Sequence, residues 1–337
     1  MAPPARGQHE PSTGVAFGTV TILITLAGWT VTPLFIEYFT ADIDIWTSNG
    51  WRYGFAALCW LPLLVGLKLR GRMPAGLWRA ALVPALINSG AQVAFTMSFY
   101  EIDPALVAFG LRSQMVFTAL GAFLLFPAER ALIRSPLFIA GLLCVIGGTG
   151  WTLLGKALAQ TDSALESVSV LGGVLALAAG AGFACYALAV RRCMAHLGSM
   201  VSFAAISQIT AAAQIVLMLL LAERHGAVAL DLPASKFGLL LLSAVIGIAL
   251  GHVFYYISIK RLGVTVSTGV IQLQPFTVAA LSYLYFGEQL APDQWVTGTV
   301  AVLGAVAMLV SQQRTLRRLR TRRELERAME EETDPRG

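Results

Sequence analysis

Arg112 is the residue whose setting most demands a chemical explanation. It follows Pro104 by eight positions inside the apolar run 104–126. In a helix that begins at Pro104, this puts the guanidinium about 12 Å from the end of the run. A charge at that depth is costly and normally faces a cavity or a partner. Two chemistries suit it: holding the carboxylate or other anionic group of a ligand, or an ion pair with Glu37 or Asp103. Gln274 lies at a comparable depth in the run 264–286, and Pro275 follows it. Proline removes a backbone donor and kinks a helix, and the freed carbonyl suits a binding cavity. His252 has Tyr255 and Tyr256 one turn away. It is placed either to titrate near neutral pH and couple solute movement to protons or to serve as a hydrogen-bonded structural histidine. Gln92, Phe95 and Phe99 form a stripe that reads as packing or as one wall of a cavity, and Trp29 and Pro33 border the same region. The candidate substrate-binding set is therefore Arg112, Gln274, His252, Tyr256, Gln92 and Trp29, with Pro275 as a helix kink. No catalytic residue, metal ligand or cofactor site is expected.

Three further charges read as structural. Arg52 lies six residues, about 9 Å, into the run 46–67. It can snorkel to the surface or neutralise Asp42, Asp44 or Glu37. Glu129 and Glu288 recur in similar sequence settings, which suggests a repeated structural job such as capping the helix that follows.

The elements that must position these residues are set by composition. Of 337 residues, 56% are hydrophobic and only 13% charged, with a mean hydropathy of +0.70. Disordered chains have the opposite balance. A soluble fold carries roughly 25% charged residues. The remaining class is an integral membrane protein. Ten runs of membrane-crossing length fall near 15–36, 46–67, 80–99, 104–126, 136–155, 168–190, 200–222, 237–257, 264–286 and 294–311. The first is longer than a signal-peptide core and no small-residue cleavage site follows it, so it reads as an uncleaved span.

A net charge of +5 would in a soluble protein suggest a nucleic-acid partner; here the placement of the charges matters more. With the N-terminus in the cytoplasm, 19 Lys and Arg fall on the cytoplasmic side and three, Lys156, Arg224 and Lys236, on the other. That excess predicts cytoplasmic termini. No nucleic-acid partner is expected, only a small-molecule substrate and the lipid bilayer, for a monomer or homodimer. The tail 312–337 turns from basic to acidic. It reads as a helix with Arg320–Glu324 and Arg322–Glu326 pairs, lying against anionic head groups. Cys59, Cys144, Cys185 and Cys193 show no CxxC or metal-ligand spacing and read as small buried hydrophobes. Gly50-x-x-x-Gly54 and Gly247-x-x-x-Gly251 permit close helix contact, expected within one chain.

The sequence also repeats. Phe123-Leu124-Leu125-Phe126-Pro127-Ala128-Glu129 resembles Tyr283-Leu284-Tyr285-Phe286-Gly287-Glu288. Gly141 and Gly147 follow the first glutamate as Gly298 and Gly304 follow the second. Each half, 14–155 and 168–311, then holds five spans, flanked by the tails 1–13 and 312–337. An odd number forces the second half to enter the membrane in the opposite sense. The expected fold is all-α: ten transmembrane helices as two inverted five-helix repeats, the construction of many secondary transporters, with a site near the midplane.

This pattern resembles the EamA family of the drug/metabolite transporter superfamily. The second copy carries the resemblance best, with Gln274-Pro275 in mid-span, then Tyr285-Phe286-Gly287-Glu288-Gln289-Leu290, then Gly298 and Gly304. Arg52-Tyr53 resembles the Arg-aromatic pair common in the family's second span. The first copy departs at Met115-Val116, Pro127 and Arg130. The resemblance covers about residues 14–311 and implies a ten-helix secondary transporter, often an exporter of amino acids or other small metabolites, in the plasma membrane.

Rival classes find little support. Gly150-Trp-Thr-Leu-Leu-Gly155-Lys156 begins like a phosphate-binding loop, but Ala157 replaces the required hydroxyl and no strand precedes it. No HExxH or GxSxG occurs. A membrane-embedded lipid-modifying enzyme would need paired titratable groups at one membrane face, and the intramembrane set is nearly reduced to Arg52, Arg112 and His252. A non-transporting receptor or scaffold would not need the repeat.

Overall fold

In a computed structural model of the chain, the described residues are 12–125, 135–159 and 169–333. Among them there are helices and turns and no strand. The N-terminal tail and Glu129 lie outside the described residues.

Helices start where the sequence supplies caps. The Asp44 carboxylate accepts hydrogen bonds from the backbone N–H of Trp46 and Thr47 and opens α2, Ile45–Leu69. Pro104 stands at the first turn of α4, Pro104–Gly110, where its missing N–H costs nothing. The other helices are α1 (Ser12–Thr40), α3 (Leu77–Ser98), α5 (Gln114–Leu125), α6 (Pro136–Ala159), α7 (Val170–Met194), α8 (Ser199–Leu221), α9 (Ala234–Ala244), α10 (Gly251–Leu262), α11 (Val264–Ile271), α12 (Gln274–Phe286) and α13 (Pro292–Thr333).

Among the described residues, nine helical stretches are long and apolar enough to cross a membrane. They match nine of the ten expected runs. The run 264–286 is present as α11 and α12, broken at Gln272 and Leu273, and neither piece alone has the length of a span. Side chains such as Leu58, Leu143 and Leu220 are 61%, 63% and 73% exposed, an apolar surface that suits lipid and would be a liability in water. The same logic corrects the cysteines: Cys59, Cys144 and Cys185 are exposed and Cys193 is half-buried. A run that faces lipid on one side is apolar all round, so apolarity there does not report burial.

The closest packing is between α6 and α13. A Cβ added at Gly141 would lie 2.5 Å from the Gly304 carbonyl, and one at Gly148 2.5 Å from that of Thr297. Backbones this close use small residues for van der Waals contact. Both GxxxG motifs also work inside the chain: Gly50 faces Met218, Gly54 Ile215, Gly247 Thr32 and Gly251 Trp29. The other principal pairings are α2 with α8, α3 with α7, α1 with α10, α5 with α7, α3 with α8, α4 with α12, α1 with α12 and α2 with α9.

Three backbone irregularities sit in the middle of the bundle. A 3₁₀ turn, Leu111–Ser113, separates α4 from α5. The break at Gln272 and Leu273 separates α11 from α12. A π-helical turn, Val245–Leu250, joins α9 to α10. At one end of the bundle the connection Glu223–Asp231 holds Arg224, His225 and Gly226 at φ 47°, 57° and 84°. It is tied down by the Trp51 indole, which donates to the Gly226 carbonyl at 2.9 Å. The Trp51 ring also packs edge-on against Phe237 at 5.1 Å. At the other end of the chain, α13 runs 18 residues beyond its span, which ends at Thr315. The side chains of the expected Arg320–Glu324 and Arg322–Glu326 pairs are outside the described set.

Candidate functional site

The two broken spans meet at Arg112, which is 7% exposed. Its Nη1 donates to the Ile271 carbonyl at 3.3 Å and to Gln272 Oε1 at 3.0 Å, and its Nη2 to Gln274 Oε1 at 3.2 Å. Its Nε is buried without an acceptor. The expected ion pair with Glu37 or Asp103 is not formed. Asp103 precedes α4 and stands nine residues, about 13 Å of helix, from Arg112. Among the described residues the guanidinium is held by neutral oxygens alone. Burying a cation without a counter-charge is unfavourable, so the site is electrostatically poised to accept an anion.

Gln274, also 7% exposed, has its amide orientation fixed. Its oxygen accepts from Arg112, and its nitrogen donates to the Trp29 carbonyl at 2.7 Å. Pro275 stands at the first turn of α12, so the break precedes it and the proline starts a helix rather than bending one. Thr277 shares a 2.6 Å hydrogen bond with Thr30 on α1. The Trp29 indole N–H donates to the Gly247 carbonyl at 3.3 Å, inside the π-helical turn. A π-turn re-aims backbone groups and often marks functional positions.

The aromatic groups continue from Trp29. Its ring meets His252 edge-on at 5.4 Å and lies 5.1 Å from Tyr255. His252 stacks on Phe203 at 4.6 Å, and Tyr256 meets the same Phe203 at 6.3 Å. His252 Nδ1 lies 3.2 Å from the Ile248 carbonyl. A carbonyl only accepts, so the proton belongs on Nδ1 and Nε2 keeps its lone pair. His252 and Gln92 both line a void of about 10 Å³, together with Tyr53, Asn88, Tyr186 and Ser207, a space for roughly one water.

Arg112, Gln274, Trp29, His252 and Tyr256 thus form one connected set, with Gln92 on the void beside His252. Sequence reasoning missed Gln272, Thr30, Thr277 and Phe203. The signal for Gln272 was present as two carboxamides, Gln272 and Gln274, close together in an apolar run.

Arg52 is not part of this set. It is 3% exposed and donates from Nε to Ser243 Oγ at 3.0 Å. Of the carboxylates expected to neutralise it, Asp42 pairs with Lys236 at 3.0 Å and Asp44 caps α2, while Glu37 Oε2 is buried without a hydrogen-bond partner. Glu288 is also placed differently from expectation. It accepts a hydrogen bond from Ser282 on the preceding helix, while the turn into α13 is secured by Gln294 Oε1, which accepts from the Ala291 N–H at 2.9 Å. Burial lifts the Glu288 carboxyl above the ordinary carboxylate range. Asp103 adds to the shift and the Ser282 hydroxyl opposes it. Glu288 and Asp103 line a cavity of about 250 Å³, with Ala105, Ala279, Tyr283 and Trp295 among its walls.

An all-helical bundle with many apolar spans and a buried polar centre defines a multi-pass membrane protein. Residues 170–310 match the EamA-like transporter family, consistent with a transporter of the drug/metabolite transporter superfamily; that family is one of transporters, not enzymes. A solved crystal structure, described only as that of a protein, is similar in fold. It is 19% identical with a TM-score of 0.57, and the match covers 91% of this chain and 99% of that one. No curated protein matches the chain.

Proposed function

We propose that the chain is a secondary-active transporter, an exporter of amino acids or organic anions, which works by alternating access around the Arg112 site. The observation that carries this reading is the buried Arg112 guanidinium, bonded to two carboxamides and a carbonyl and to no carboxylate. A substrate carboxylate supplies the missing counter-charge, and Gln274 and the aromatic side chains around Trp29 shape the rest of the pocket. An unpaired buried arginine repels simple cations. Energy comes from the gradient of the substrate or of protons, with His252 as the group placed to carry a proton.

The same reading takes α11 and α12 as one broken tenth span and the two halves as inverted repeats. In its support, the principal pairings of spans are kept when the halves are exchanged: α3 with α7 becomes α10 with α1, α5 with α7 becomes α12 with α1, α3 with α8 becomes α9 with α2, and α2 with α8, α4 with α12 and α6 with α13 map onto themselves. The 159-residue offset between Glu129 and Glu288 also carries Arg112 onto Ile271, the residue whose carbonyl it binds. Cytoplasmic termini in a plasma membrane follow from the Lys and Arg distribution.

The test is counterflow in proteoliposomes with a panel of labelled amino acids, organic acids and nucleosides, with Arg112→Ala beside the parent. Exchange of a carboxylate-bearing class, lost selectively in the folded variant, is expected. No exchange of any carboxylate by well-folded parent protein would overturn the substrate assignment.

A further inference from the structure

Two helices, α4 and α12, run from the 250 Å³ cavity toward Arg112, and α1 packs against both. On α4, Ala105 lines the cavity, Ala108 and Phe109 lie one turn deeper, and Arg112 comes next, about 10 Å along the axis from Ala105. On α12, Ala279 lines the cavity, Val278 and Phe276 follow, and Gln274 ends the helix. On α1, Leu34 stands one turn above Thr30.

The middle layer is wholly apolar. Leu34, Ala108 and Val278 form one cluster with exposures of 8%, 1% and 0%. Beside it, Phe109 meets Phe276 edge-on at 5.6 Å, and Phe276 stacks on Trp295, a cavity wall, at 6.2 Å. Gly298 makes room for this: a Cβ there would lie 2.6 Å from the Phe109 ring. The layer is about one helical turn thick. Van der Waals contact holds it, and the Thr30–Thr277 hydrogen bond lies beneath it. Elsewhere in the bundle the packing is much thicker. One buried cluster there runs along α2 from Tyr53 through Trp60 to Leu64 and takes in Leu77 and Met194, about 16 Å along α2 alone.

We infer that the Leu34–Ala108–Val278 layer is the gate on the cavity side of the path, and that the cavity is the mouth of that path. The inference rests on the transport reading for the existence of a path. A dry apolar layer stops hydrated ions and polar solutes because they would have to shed water with nothing to replace it. A layer held by side-chain packing alone opens without breaking any polar bond of its own. The adjoining rings continue the closure to the cavity wall.

The test needs no knowledge of the substrate. In a background lacking the four native cysteines, one reporter cysteine replaces Gln289 at the mouth and another replaces Thr30 beneath the layer. A membrane-impermeant maleimide is applied from the cavity side. Gln289→Cys labels rapidly and Thr30→Cys slowly. Adding Leu34→Ala raises the Thr30→Cys rate at least about tenfold, since truncating a buried leucine costs the packed state more than the free energy of a tenfold shift. The Gln289→Cys rate stays unchanged. Val278→Ala removes less volume and carries the same expectation should Leu34→Ala fold poorly. Equal Thr30→Cys labelling with and without the truncation, in protein that melts normally, overturns the gate. So does labelling of Thr30→Cys from the opposite face only. A failed counterflow panel beside a positive labelling result would discard the substrate class and leave the gate standing.

Discussion

Arg112 and Gln274 define the account at the scale of single residues, and each makes a distinct prediction. Arg112→Lys keeps the charge but loses the planar fork that reaches Gln272 and Gln274 at once. Carboxylate exchange should then weaken by about tenfold in apparent affinity, because an ammonium cannot reproduce paired hydrogen bonds. A concentration series of counterflow checks this. Gln274→Leu leaves the Trp29 carbonyl and one Arg112 nitrogen without partners, and should destabilise the fold by roughly 1–3 kcal/mol, read by thermal unfolding in detergent. Glu288 gives a pH prediction. A carboxyl whose pKa is raised in the folded chain holds its proton more tightly folded than unfolded. Stability is therefore greatest below the ordinary value of 4.5 and falls as the pH rises through the raised value. Glu288→Gln, which can still accept from Ser282, should flatten the melting temperature against pH above 4.5; an unchanged slope would place the effect elsewhere.

At the scale of elements, what was legible in the sequence was what hydrophobicity encodes. Nine spans appear where apolar runs of the right length predict them, because in lipid a long apolar run has no alternative but helix. The breaks were not legible in the same way. Leu111-Arg112-Ser113 reads as a continuous helix, yet it forms a 3₁₀ turn where Arg112 reaches the Ile271 carbonyl and Gln272. Nothing local marks the π-turn at 245–250 either; it forms where Gly247 and Gly251 let Thr32 and Trp29 press against α9 and α10. Of the site, Arg112 and Gln274 stood out because polar side chains in apolar runs are costly. Gln272 and Phe203 did not, since their importance lies in what they touch. The α6–α13 contact yields a prediction at this scale. Gly304→Val places methyl groups against the Gly141 carbonyl and Cys144. It should cost about 1–3 kcal/mol or more by overpacking and lower the thermal midpoint, with the site chemistry untouched.

For the whole molecule, the proposed function raises the question of how a chain with few intramembrane charges would move a polar solute. The structure offers a cavity with carboxylates at its mouth, a thin apolar layer, and a cationic floor where two broken spans meet. Broken helices let unpaired backbone and buried side chains face a site at membrane depth. In the inverted-repeat reading, exchange of roles between the halves opens the site first to one face and then to the other. That reading predicts that reporters fused in the turns at 70–72 and 195–198 lie on the side of the C-terminus, and those at 223–231 on the opposite side. A reporter at 195–198 facing the other way would remove the inversion.

The measurement that bears most directly on the account is counterflow of a matched pair: a transported amino or organic acid and its uncharged carboxamide. The parent protein should exchange the acid and discriminate against the amide, and Arg112→Ala should abolish that preference. An amide exchanged as well as its acid would contradict the assignment of Arg112 as the group that receives a carboxylate.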